Sequence, residues 1–135
     1  MFTKTLFHLM PIVYPKFYTL HTEKGEELVL LCEGEKLHEV SIIEDKTQFE
    51  AVNNHVHLFE KVGEADKIYA KDIGIQIANN LIKELTTCFP DKCFIVFLDL
   101  NIHDSVIIRF HQHWPDEPVY YNVNDFCNIL EFRNC

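Results

Sequence analysis

Hydrophobic and polar positions recur along this chain with two different periods. Residues 17–23, FYTLHTE, and 26–34, EELVLLCEG, flank Lys24-Gly25 and predict a β-hairpin. Residues 36–45, KLHEVSIIED, set Leu37, Glu39, Ser41 and Ile43 against His38, Val40 and Ile42, which predicts a third antiparallel strand after a turn at Gly34. In 49–62, Asn53-Asn54 marks a turn and HVHLFE a short strand. The period then lengthens. Over 64–89, Ile73, Ile77, Leu81, Leu85 and Cys88, joined by Ala70, Ala78, Ile82 and Phe89, form one broad stripe at helical spacing. Glu64 and Asp66 sit where the positive end of a helix favours them, and Pro90 stops the run. A helix of this length needs a sheet to lie on.

Residues 92–100, KCFIVFLDL, are almost wholly apolar and predict a central strand buried on both faces. NIHDS turns the chain, and SVIIRFHQHW, 105–114, returns antiparallel with Val106, Ile108, Phe110 and Gln112 on one face. Ile107, Arg109, His111 and His113 lie on the other. Phe126, Ile129 and Leu130 follow Asn124 at helical spacing and predict a short helix over 124–132. No repeat, linker or low-complexity tract interrupts residues 1–135. The expectation is a single α+β domain whose antiparallel sheet carries one long helix and a short C-terminal helix.

Composition adds a core and a charge. Hydrophobic residues make up 47% of the 135, including 11 Phe, enough to bury a core and to exclude disorder. No apolar run approaches the roughly 20 residues that span a bilayer, so no membrane partner is expected. The opening MFTKTLFHLM is broken by His8 and lacks a small-residue cleavage site, so it reads as mature fold and points to the cytoplasm. Cys32, Cys88, Cys93, Cys127 and Cys135 are odd in number and show no CxxC, so they read as small hydrophobes in a reducing compartment. The net charge of −9 is unevenly spread, with nine acids against three lysines between Glu23 and Glu50. The alternating strands turn this excess into an acidic sheet face. Only Arg109 and Arg133 represent arginine, so nucleic-acid binding is disfavoured and a basic protein partner is favoured.

Catalytic signals are sparse. His55/His57 and His111/His113 are His-x-His pairs, and in a strand each pair points one way and could grip a metal. No third-ligand spacing accompanies them. Asp99, isolated in an apolar strand, has Arg109 as a candidate partner. Ser41 and Ser105 are the only serines, neither in a nucleophile elbow, Cys93 has no marked base, and four scattered glycines make no phosphate loop. No cofactor and no enzyme activity are expected; a small metal-dependent enzyme built on the four histidines is the alternative. The stretch IIRFHQHWPDEPVYY, 107–121, favours recognition instead. Trp114, Tyr120 and Tyr121 are interface-type rings, and Asp116 and Glu117 suit a cationic partner. The competing reading closes Trp114 and a tyrosine over the end of the core.

NHVHLFE, GIQIANNLIKEL, FIVFLDLNIHDSVIIRFHQHWPDEPVYY and the acidic front half together resemble bacterial immunity proteins, the antidotes of contact-dependent growth-inhibition and polymorphic toxin systems. Such antidotes share no common signature, so the resemblance assigns no residue. It implies a cytoplasmic protein that binds one cognate toxin domain, often a basic nuclease, at its active site or an exosite. On the physics of the residues, Glu23, Glu26, Glu27, Glu33, Glu35 and Glu39 would steer the encounter. Trp114, Asp116, Glu117, Tyr120 and Tyr121 would hold the complex.

Overall fold

The computed structural model describes residues 9, 11–32, 45–100 and 105–135. Strands β1 (Phe17–His21) and β2 (Glu27–Leu31) pair antiparallel with Phe17 opposite Leu31 and His21 opposite Glu27. The turn between them needs Gly25, whose φ of 82° is the left-handed region glycine enters without penalty. The third strand expected over 36–45 lies outside the described residues except for Asp45, as do Glu33, Glu35 and Glu39.

Asp45 instead starts a helix. Its carboxylate accepts from Gln48 N at 2.9 Å and caps α1, Lys46–Asn53. Asn54 then turns the chain into β3, His55–Phe59, the short strand expected there. A single 3₁₀ turn, Glu64–Asp66, leads into α2, Lys67–Cys88, which ends as Phe89 N donates to Leu85 O just before Pro90. Strands β4 (Phe94–Leu100), β5 (Val106–Gln112) and β6 (Ile129–Arg133) complete a four-stranded antiparallel sheet in the order β3-β5-β4-β6. The chain is therefore α+β with two antiparallel sheets and one long helix.

Two expectations need correction. Residues 124–132 are not a C-terminal helix: a 3₁₀ turn at Val123–Asp125 precedes β6, which pairs with β4 from Ile95/Arg133 to Asp99/Ile129. The physical reason lies in β4. Phe94 to Leu98 are fully buried, and a strand apolar on both faces needs a neighbour on each edge. Only one edge is taken by β5. Second, the buried stripe of α2 runs through Ala70, Gly74, Ile77, Ala78, Leu81 and Leu85, leaving Ile73 and Cys88 exposed. Gly74 faces the sheet, where a Cβ would stand 3.0 Å from Leu98 Cδ1, so the helix backbone approaches β4 closely at this point.

The stripe packs on Phe94, Val96 and Leu98 of β4 and on Val106, Ile108 and Phe110 of β5. Each of the fully buried Leu81 and Leu85 contributes about 2 kcal/mol through burial. Phe17, Val29 and Leu31 bring one face of the hairpin into the same core, with Phe17 edge-on to Phe89 and Phe110. On the opposite sheet face, Ile95, Phe97 and Ile129 lie beneath Val119, Tyr120, Tyr121 and Val123.

The cysteines also depart from expectation. Cys93 and Cys135 form a disulfide with Cα atoms 5.6 Å apart, tying the approach to β4 to the end of the chain. Cys32, Cys88 and Cys127 are free and exposed, not core filler. Among the described residues no helix is long and apolar enough to cross a membrane.

Candidate functional site

The most constrained chemistry sits where the hairpin meets the large sheet. Helix α1 turns Lys46, Thr47, Glu50 and Asn53 inward, polar residues where a core helix ordinarily presents apolar ones. Glu50 is completely buried. Its Oε1 accepts from Trp114 Nε1 at 2.7 Å and Gln112 N at 3.0 Å. Its Oε2 accepts from Val29 N and Gln112 Nε2, each at 2.9 Å. Burial pushes the carboxyl above the ordinary glutamate range, and these four donors pull against it.

The donors explain why the site exists. In an antiparallel pair every second residue of β2 turns its backbone away from β1. These outward groups are met by side chains: Val29 N by Glu50, Leu31 N by Asn54 Oδ1 at 2.8 Å, Val29 O by Asn54 Nδ2 at 2.9 Å, and Glu27 O by Gln112 Nε2 at 2.8 Å. Side chains of α1, the turn after it and β5 thus stand in for a missing strand and join the two sheets.

A second buried ion lies one turn away. Lys46 Nζ is 2.6 Å from Glu26 Oε2, 3.0 Å from Asp116 Oδ2 and 3.5 Å from Glu117 Oε2, and 5.0 Å from the centre of the Trp114 ring. Burial works to lower the lysine pKa, but the bonds to Glu26 and Asp116 hold it above its ordinary value. Glu117 also caps α1, accepting from Thr47 N at 2.7 Å, Thr47 Oγ1 at 2.6 Å and Lys46 N at 3.1 Å. Its partial burial works to raise the carboxyl, yet the Thr47 and Lys46 bonds bring it below the usual range. The Lys46 bond lowers Asp116 likewise. One lysine thereby draws together Glu26 of the hairpin with Asp116 and Glu117 of the loop after β5, acids 91 residues apart at the extremes.

The remaining candidates occupy the other face of the sheet. Arg109 donates to Ala51 O at 2.9 Å, at the carbonyl end of α1, while its guanidinium lies 4.9 Å from the Tyr120 ring and 5.6 Å from that of Tyr121. Tyr121 meets Phe97 edge-on at 5.2 Å. His111 is buried: Nδ1 donates to Gln112 O at 2.6 Å and Nε2 accepts from Tyr120 N at 3.2 Å, which fixes the neutral ring in one tautomer. Burial lowers its pKa. Asp99 stands opposite Ile107 and accepts from Asn128 Nδ2 at 3.2 Å; burial raises its pKa and Arg109 opposes the rise.

Of the residues singled out in the sequence, Glu26, Trp114, Asp116 and Glu117 come together in this corner, with exposed Glu23 on the adjoining turn. Glu27 is shared with Lys92 at 3.3 Å and His21 at 3.3 Å. Tyr120 and Tyr121 lie elsewhere, over Phe97. Among the described residues the four histidines do not converge on one point: His111 uses both ring nitrogens on backbone, and His113 lies exposed beyond the end of β5. His55 and His57 sit on β3, opposite Arg109 and Ile107. Among the described residues no three or more His, Cys, Asp or Glu are arranged to hold a metal. Sequence reasoning missed Glu50 and Lys46, although Asp45 three residues before Gln48 carries the signature of a helix start. No protein family, characterised protein or solved structure matches this chain.

Proposed function

We propose that the chain is a binding protein of the immunity type, which neutralises a cognate basic toxin domain, of the nuclease kind, in the cytoplasm. The acidic corner is the observation that carries this reading. Glu26, Asp116 and Glu117 gather there around Lys46, Asp45 precedes it in the chain, and the hairpin adds Glu23 in its turn and Glu27 beside Lys92, on a chain of net charge −9. A pre-set negative surface accelerates encounter with a cationic partner without chemistry of its own. Exposed Glu23, Asp45 and Asp116 supply the field; half-buried Trp114, fixed by Glu50, offers the ring edge beside it. With the Cys93–Cys135 disulfide reduced in such a compartment, β6 keeps its ladder to β4 and the bond that Asn134 Oδ1 accepts from Phe94 N at 2.7 Å.

The test is stopped-flow association with the basic toxin domain encoded beside the gene, across ionic strength. The rate should fall on the order of tenfold from low to physiological salt and again in Glu23→Gln/Asp116→Asn. A rate indifferent to both would overturn the proposal.

A further inference from the structure

Three strand edges face outward among the described residues: those of β1, β3 and β6. Two carry the usual protection. Along β6 the exposed Arg133 pairs with Glu131 at 3.0 Å, and β3 has a bulge between His57 and Phe59. Strand β1 has no bulge, and its one such pair, His21 with Glu27 at 3.3 Å, lies at its end. Its only ionisable groups are a tyrosine and the terminal His21, and its side chains are exposed from Tyr18 onward. The hydrogen-bonded pairs with β2 include Lys16/Cys32 and Thr22/Glu26, so Phe17, Thr19 and His21 direct their N–H and C=O groups away from the hairpin. Those groups find no partner among the described residues. The contrast with β2 is sharp, since its outer edge is satisfied by Glu50, Asn54 and Gln112.

We infer that this edge of β1 pairs antiparallel with the same edge of a second copy of the chain, about a two-fold axis at Thr19. The edge is complementary to itself in that register. Thr19 exchanges both hydrogen bonds with Thr19 of the second copy, and Phe17 stands opposite its His21. Tyr18 and Leu20, each 40% exposed, lie across from Leu20 and Tyr18 of the second copy, an aromatic–aliphatic pair on either side of the axis. The same register brings exposed Lys16 next to the turn that carries Glu23. Like charges on two acidic chains are thereby kept apart, and the result is one four-stranded sheet, β2-β1-β1-β2, closed by symmetry. An unrelated strand would satisfy the backbone equally but would have no reason to match Tyr18, Leu20, Lys16 and Glu23 at once.

An edge of five residues makes a small interface, so dimerisation should be detectable at about 0.1 mM chain and not far below. Sedimentation equilibrium of the full chain tests this, with amide hydrogen exchange of β1. The wild type should dimerise with concentration, and the Phe17, Thr19 and His21 amides should slow in step. Leu20→Lys, at a side chain that already meets solvent, and Thr19→Pro, which removes a donor the hairpin does not use, should both abolish the dimer. Circular dichroism should show the fold retained, and Leu20→Lys decides alone if Thr19→Pro unfolds. A wild type that stays monomeric to about 1 mM, a dimer that survives Leu20→Lys, or protection of Thr19 that does not change with concentration would each overturn the inference.

Discussion

Replacing Glu50 by glutamine preserves shape and removes one thing, the ability of both oxygens to accept. The glutamine keeps one acceptor and sets its NH2 against two donors, either Trp114 Nε1 and Gln112 N or Val29 N and Gln112 Nε2. Each buried donor left unmatched costs about 1–3 kcal/mol, which gives about 2–6 for two. Two effects reduce this. Gln112 Nε2 retains Glu27 O at 2.8 Å, and the variant no longer buries a charge. The expected loss is about 2–4 kcal/mol at pH 7, which lowers the urea midpoint by about 1–2 M for a chain of this size. Trp114, the only tryptophan and itself a donor to Glu50, supplies the fluorescence signal.

The pH dependence of that difference separates the two forces on the carboxyl. Its folded pKa lies above the ordinary 4.5, so its stabilising contribution is complete below that value and declines as pH rises toward the folded pKa. Other groups titrate alike in both proteins and cancel. The gap between wild type and Glu50→Gln should therefore widen on acidification. An unchanged or higher midpoint for Glu50→Gln at pH 7 would refute the claim that four donors need an acceptor there. A gap that narrows toward acid would show that the donors outweigh burial.

His111 carries the opposite sign. Its folded pKa is lowered by burial from the ordinary 6.5, so stability is lost as pH falls through 6.5, and His111→Phe should flatten the fall in urea midpoint between about pH 6.5 and 5. An unaltered slope would place that titration elsewhere. Gly74→Ala sets a gain of about 1 kcal/mol in helix propensity against contacts of 3.0 and 3.1 Å to the methyls of Leu98, which is fully buried and would have to give way inside a packed core. Overpacking of this kind costs about 1–3 kcal/mol, so the melting temperature should fall by a few degrees, and a rise would show that the helix can move outward.

Which parts of the fold were legible follows from where apolar residues could speak. The hairpin announced itself through Lys24-Gly25, α2 through its stripe, and β4 through an unbroken apolar run. Helix α1 was silent because four of its five buried residues, Lys46, Thr47, Glu50 and Asn53, are polar and only Ala51 is apolar, which inverts the pattern that sequence reasoning uses. Strand β6 was misread because Phe126, Ile129 and Leu130 match a helical spacing by chance, while the demand for it arises from β4, a non-local cause. The acidic front half was visible as a number. Its junction with Asp116 and Glu117 was not, since it is made by one lysine that reads as an ordinary surface cation.

That junction changes what the charge count means. Glu50 and Glu117 are acids by composition, but both are fully engaged by internal donors, and Glu26 is bound to Lys46. They stabilise the joint between hairpin and sheet, and they shape the field only through the net excess they leave after Lys46 is counted. A partner that samples the surface meets Glu23, Asp45 and Asp116 first, on three different segments held in place by the buried pair behind them. On the proposed function, steering and folding are linked at Lys46: Lys46→Met would raise the local negative charge while loosening the segments that carry it. Encounter with a basic partner should then quicken even as the joint weakens, an outcome that a surface of independent charges would not produce.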